Sequence, residues 1–186
     1  MPRDAKATRQ RLLTAARTEF ARYGIAGARV DRIAAAAASN KAQIYHYFGS
    51  KDALFDAVWE SLVTQVINGT PIDVGDLAGW AADLADIYAD YPELMRLVAW
   101  QRLERAGDPP LPMSVRSVER NIDAIGKAQA GETVTDRFRP DIIFSLILHL
   151  ATLWGDMNPD VKAAVELPDR DTRRSIIGQA VSRLLS

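Results

Sequence analysis

The sequence predicts an all-α fold of about nine helices, a short three-helix module followed by a larger helical domain. Three observations carry that expectation. Apolar residues recur at helical spacing along nearly the whole chain, and strand-like alternation is almost missing. Gly and Pro fall between the periodic runs, at Gly24, Gly49, Gly69, Pro92 and Gly107, where helices end or begin. Charge divides the chain in two: residues 1–51 carry ten basic and three acidic residues, net +7, whereas residues 52–186 carry 13 basic and 21 acidic, net −8. The formal charge of −1 for the whole conceals that split.

Each helix has its own signal. From Thr8, a candidate N-cap, Leu12, Leu13, Ala16, Phe20 and Tyr23 share one face, and Gly24 stops the helix. Val30, Ile33, Ala34 and Ala37 mark a short second helix. Ser39-Asn40 turns the chain and caps a third, Lys41 to Phe48, whose inward residues are Ile44 and Phe48. Gly49 breaks it, and Ser50 caps a fourth helix that carries Leu54, Phe55, Val58, Trp59, Leu62, Val63 and Val66. A fifth spans residues 76–91, and Pro92 opens a sixth that runs to 105. After the loop at 107–112 come a seventh, 114–130, and an eighth that starts at Pro140 and ends near Gly155. The stretch 158–168 has room for one helical turn, and the last helix covers 171–185.

Composition closes off much chemistry. With no Cys there are no disulfides, thiol nucleophiles or Cys-ligated metals. His46 and His149 are the only histidines, so no metal and no cofactor is expected. No phosphate-binding Gly loop or nucleophile elbow is present, which argues against an enzyme. The rival is an all-helical metal-dependent enzyme built on Asp83, Asp86, Asp90 and Glu93, although a solvated acidic face explains that row better. The start has no apolar leader, and the apolar run 142–154 is shorter than the roughly 20 residues that span a bilayer. A cytoplasmic protein without membrane contact is the expectation.

Two short helices joined by a tight turn, the second and third, form a helix-turn-helix, which places its second helix in the DNA major groove. The third helix leaves Lys41, Ala42, Gln43, Tyr45 and His46 facing outward. Gln43 can pair bidentately with adenine and Ala42 can touch a thymine methyl. Tyr45 and His46 reach toward phosphates, and Lys51 lies beside the backbone's path. Double-stranded DNA is therefore the expected partner.

The run Ile44-Tyr45-His46-Tyr47-Phe48-Gly49-Ser50-Lys51-Asp52-Ala53-Leu54, with Ile33-Ala34 before it, resembles the signature of the TetR family of transcriptional regulators. Ala15-Ala16, Phe20, Tyr23-Gly24 and Gly27 match the same family's first helix. The likeness is strong over residues 8–60; beyond them it rests on helix count and layout. It implies DNA contacts at Gln43, Tyr45, His46 and Lys51, and a homodimer whose subunits meet through their last two long helices. It also implies a ligand held among helices five to eight that releases a repressor from a pseudo-palindromic operator. The sequence departs from the family at Ala38, where Gly usually opens the turn, at Ser39, where an apolar residue is common, and at Ala28-Arg29, where a Ser or Thr usually caps helix two. Arg29 can grip a phosphate there instead. These departures leave room for a second rival, a ligand-binding regulator that no longer binds DNA.

The expected division is a DNA-binding domain at 1–51 and a ligand-binding and dimerisation domain at 52–186. Candidate dimer residues are Ile143, Leu146 and Leu150 in the apolar run, with Ile176, Ile177, Ala180, Val181 and Leu184 in the last helix. The competing reading makes both helices core of one subunit. Trp80, Tyr88, Met95, Trp100, Met113, His149 and Trp154 could line a pocket for a small hydrophobic or aromatic effector, though Met and aromatics at helical spacing also serve as plain core.

Overall fold

The computed structural model describes the backbone of residues 2–186 and the side chains of residues 4–66 and 69–186. The described residues form ten helices and no strand: α1 (Pro2–Gly27), α2 (Val30–Ala36), α3 (Lys41–Phe48), α4 (Lys51–Gly69), α5 (Leu77–Asp90), α6 (Pro92–Glu104), α7 (Pro112–Ala130), α8 (Pro140–Thr152), α9 (Pro159–Ala164) and α10 (Arg170–Leu185). Helix α9 occupies the stretch with room for one turn; Asn158 caps it by accepting from the Asp160 N–H, with Pro159 in its first turn. None of these helices is long and apolar enough to cross a membrane.

Two features of α1 differ from the expectation. It begins at Pro2, because Ala5, Lys6 and Ala7 are good helix formers, so Thr8 lies inside it and accepts from Arg11 Nη2 at 3.1 Å. Gly24 interrupts the helix without ending it: φ 73° and ψ −179° break the ladder, and the chain turns helical again up to Gly27.

The chain forms two compact units, one from residues up to Thr64 together with Glu93–Leu111, the other from Gln65–Pro92 together with Pro112–Ser186. The first unit thus extends beyond residue 51 and includes α6. Leu12, Ala16, Phe20, Ile33, Ile44, Leu54 and Leu97 are fully buried in it, and Phe20 meets Phe55 edge to face at 5.3 Å. Each of these Leu, Ile and Phe side chains contributes about 1.5–3 kcal/mol of burial, less the entropy of ordering it. The second unit assembles α5, α7, α8 and α10 around Ile125, Ile143, Ile147, Ile177 and Val181, with Trp80 stacked on Phe144. On its surface Arg170 holds Asp86 and Asp90 at 3.0 Å, while Arg174 pairs with Asp86 and, at 2.8 Å, with Asp83.

Candidate nucleic-acid interface

The α2–α3 turn is built by backbone hydrogen bonds. Ser39 N–H reaches back to Ala34 O at 2.9 Å and Ala38 N–H to Ala35 O at 3.1 Å, the paired bonds of a Schellman stop. That stop requires a left-handed residue, and Ala38 supplies it at φ 48° despite its Cβ. Asn40 then caps α3, its Oδ1 accepting from the Gln43 N–H at 2.9 Å. Ser50 Oγ does the same for α4, accepting from the Ala53 N–H at 3.0 Å.

With its start fixed, α3 divides cleanly. Ile44 is completely buried beneath it. Ala42, Gln43, Tyr45 and His46 are exposed on the outer side, Tyr45 by 47%. Exposed Lys41 reaches Asp31 Oδ1 on α2 at 2.9 Å, and this hydrogen bond raises the lysine's pKa. Arg29 stands as N-cap of α2 without a side-chain cap, and its side chain is exposed. Lys51 is half-buried and turns inward: its Nζ donates to Ala26 O at 3.3 Å, at the end of α1, and to Ala28 O at 3.4 Å, just beyond it.

Sequence reasoning missed a supporting group beneath this surface. Glu19 is 9% exposed. Its Oε1 accepts from Arg29 N–H at 2.9 Å and from Arg32 Nε at 2.7 Å. Arg32 in turn lies over the Tyr23 ring at 4.2 Å and reaches Gly27 O. Burial pushes the Glu19 carboxyl up, but the Arg32 hydrogen bond, the Arg29 N–H and the Arg32 and Arg22 charges outweigh it and leave the pKa lowered. One signal was available, since Glu19 is one of only three acids in the first 51 residues. A cation beside α3 was also missed: the Arg9 guanidinium sits 5.1 Å from the Phe48 ring centre.

The residues expected to line a pocket belong to both units. Met95, buried, and Trp100, half-buried, belong to the first unit. Trp80, Tyr88, Met113, His149 and Trp154 belong to the second. Trp80 is core, with its indole N–H given to Thr70 O at 3.1 Å. Burial raises the Tyr88 hydroxyl to a pKa of about 12. The Trp154 indole N–H is buried with no acceptor among the described residues. His149 is exposed; its Nδ1 lies 2.7 Å from Ser145 O and therefore carries the proton, which leaves Nε2 facing away as an acceptor in the neutral ring.

The expected dimer residues divide likewise. Ile143, Ile177 and Val181 are wholly buried inside the subunit, so no partner can touch them, because the last helices pack into their own core as well. Leu146 and Ile176 are each 38% exposed, and Leu150, Ala180 and Leu184 are half-buried. Ile142 and Leu153 add two more exposed apolar side chains to the outer side of α8 and its end. The Asp83, Asp86 and Asp90 row is engaged by Arg170 and Arg174, and no group of three His, Asp or Glu among the described residues could share a metal ion.

Comparison with known proteins agrees with this geometry. Residues 12–58 match the model described as bacterial regulatory proteins, tetR family, and residues 76–183 match that of the tetracyclin repressor-like C-terminal domain. The HTH-type transcriptional repressor SCO4008 of Streptomyces coelicolor is 40% identical over 164 residues, 86% of this chain and 84% of that protein. The HTH-type transcriptional regulator RutR of Escherichia coli is 30% identical over 180 residues, 91% of this chain and 84% of RutR. Among solved structures, SCO4942 of S. coelicolor superposes with a TM-score of 0.85 at 37% identity, covering 96% of this chain and 98% of that one. A helix-turn-helix with an outward-facing reading helix, joined to a tetracyclin repressor-like helical domain, defines one group of proteins: the chain belongs to the TetR family of transcriptional regulators.

Proposed function

We propose that the outer side of α3 is the DNA-reading surface of a ligand-responsive repressor, with Gln43 and Ala42 on base edges and Tyr45, His46, Lys41 and Arg29 on the sugar-phosphate backbone. One observation carries this reading. A capped helix, anchored by a fully buried Ile44, presents four contact-capable side chains to solvent within a segment of net charge +7. Such a surface suits a groove lined with phosphates. Lys51 acts from behind in the free protein, fastening the end of α1.

The TetR family works as homodimers, and the outer stripe of α8 (Ile142, Leu146, His149 and Leu153), together with Ile176 on α10, is the face proposed for the partner copy. Two reading heads would then address half-sites about 34–36 Å apart, or a multiple of that turn. The proposed effector is small and hydrophobic or aromatic. Tyr88, in surroundings apolar enough to suppress its ionisation, and the unpartnered Trp154 indole N–H support contact with such a molecule in the second unit.

Duplex DNA selected from a random-sequence pool tests the reading. Binding should weaken steeply with salt, the log of affinity falling by about 0.9 per phosphate neutralised for each tenfold rise in salt. No duplex binding at low salt would remove DNA from the function. Compounds that raise the melting temperature and change Trp fluorescence in wild type, but not in Trp154→Phe, would identify the effector's place.

A further inference from the structure

We propose that the end of α6 is the positioning element of the reading head: Glu104 and Arg105, adjacent in the chain, grip the two helices that flank the helix-turn-helix and set where α2 and α3 stand. This goes beyond assigning DNA contacts to α3, because neither residue needs to touch DNA.

The break at Gly24 creates the grip point. With φ at 73° and ψ at −179° the backbone leaves helical geometry at Gly24, two residues before Ala26. Glu104 binds the chain just past that break, its Oε2 accepting the Ala26 N–H at 2.8 Å. Trp100, one turn earlier on α6, donates its indole N–H to Ala21 O at 3.3 Å. The fit over the break is close. A Cβ at Gly24 would lie 2.5 Å from Glu104 Oε1 and 2.8 Å from the Trp100 ring, so the glycine is required by the approach of α6 as well as by its dihedral angle.

The same residue is held through its carbonyl as well. Lys51, first residue of α4, donates to Ala26 O and Ala28 O. A carboxylate on the N–H and an ammonium on the carbonyl thus fix Ala26 at both ends, two residues before the stretch that leads into α2. The next residue, just past the end of α6, turns to α4. The Arg105 guanidinium pairs with Asp56, reaches Asp52 Oδ1 at 3.2 Å and Asp52 O at 3.3 Å, and covers the Phe55 ring at 4.8 Å. The Arg105 side chain is 14% exposed, but its partners are more open to solvent, Asp56 at 34% and Asp52 at 71%, so the guanidinium is shielded from one side only.

Charge-assisted bonds to the backbone are directional, and here they join one helix end to the end of α1 and to the start of α4. A displacement of α6 must therefore either drag both or break the bonds. Whatever moves α6 is felt at the reading helix without passing through the DNA-contacting side chains.

Full-length Glu104→Ala, Glu104→Gln and Arg105→Ala test this. In Glu104→Ala the Ala26 amide should exchange with solvent about tenfold faster, as loss of a charge-assisted bond implies. The α3 amide resonances from Ile44 to Tyr47 should shift, with the melting transition still cooperative. Glu104→Gln, which keeps an oxygen acceptor, should restore both. Arg105→Ala should move the α3 resonances while leaving Ala26 exchange near wild type. Unchanged α3 resonances in both alanine variants, or unchanged Ala26 exchange in Glu104→Ala, would overturn the proposal. The last arm rests on the DNA-reading assignment of α3: affinity for a selected duplex should fall roughly fivefold in Glu104→Ala with sequence preference unaltered. Wild-type protein that binds no duplex would refute that assignment alone, since the exchange and resonance readings decide the grip without DNA.

Discussion

At Ala38 a methyl group occupies a backbone position that prefers none. The left-handed conformation costs an L-residue about 1–2 kcal/mol, and the two Schellman bonds across the turn impose it. Ala38→Gly should therefore stabilise the protein by about 1 kcal/mol, after the glycine's own chain entropy is subtracted, and raise the melting temperature by about 2–4 °C. An unchanged or lower melting temperature would contradict this account of the turn. The sequence already pointed to this strain, because a helix-turn-helix of this spacing needs one residue that Cβ discourages, and alanine stands there. Glu19 was not legible in that way. Its importance comes from Arg29 and Arg32, ten and thirteen residues on, which only the packed helices bring to one carboxylate. Because the folded carboxyl titrates below its ordinary value of 4.5, its stabilisation is present above that value and is lost as pH falls through the lower, folded one. The stability gap between wild type and Glu19→Gln in urea should thus be constant near neutral pH and shrink in acid. A gap that stays the same in acid would mean that the carboxylate charge does not matter.

Among the elements, α3 makes the sharpest distinction between reading and gripping. Gln43 can form two hydrogen bonds to one base edge, whereas Tyr45 offers a single hydroxyl suited to phosphate. Gln43→Ala should relax sequence preference at one position by about 1–3 kcal/mol, while Tyr45→Ala should weaken every duplex alike. Selection and affinity measurement on the same duplex pool separate the two; a uniform loss in Gln43→Ala would show that it does not read a base. Helix α3 could be foreseen because its caps and its buried Ile44 are local. Other features could not, or only in outline. The start of α1 depended on propensity alone, with no capping signal before Thr8. The helical turn at Pro159–Ala164 showed only as room for one turn within 158–168, because it buries nothing and no apolar periodicity marks its bounds. The first compact unit takes in α6 through Trp100, Glu104 and Arg105, contacts between residues up to 79 positions apart that no spacing rule reveals.

For the whole molecule, the charge split was plain in the sequence, and the faces of the last helices were not. The run from Ile142 to Trp154 is apolar nearly all round, so periodicity cannot say which side meets the subunit's own core. The structure divides it: Ile143 and Ile147 point inward, Ile142, Leu146 and Leu153 outward, and on α10 Ile177 and Val181 point inward while Ile176 does not. That division gives two aspartate substitutions opposite consequences. Ile177→Asp places a carboxylate at a site with no exposure and no partner, so it should unfold the second unit, leaving the oligomeric state undefined. Leu146→Asp puts the charge on a surface that water already reaches in the single subunit, so the fold should survive. In a dimer joined through that stripe, the two-fold brings the new charge into a buried seam twice, and association should fail. A monomer presents one reading head, and losing the tethered second contact should lower duplex affinity about 100-fold or more. Sedimentation of Leu146→Asp should accordingly show folded monomers with cooperative melting and weak duplex binding. A dimer of wild-type strength in that variant would place the partner on a different face of the molecule.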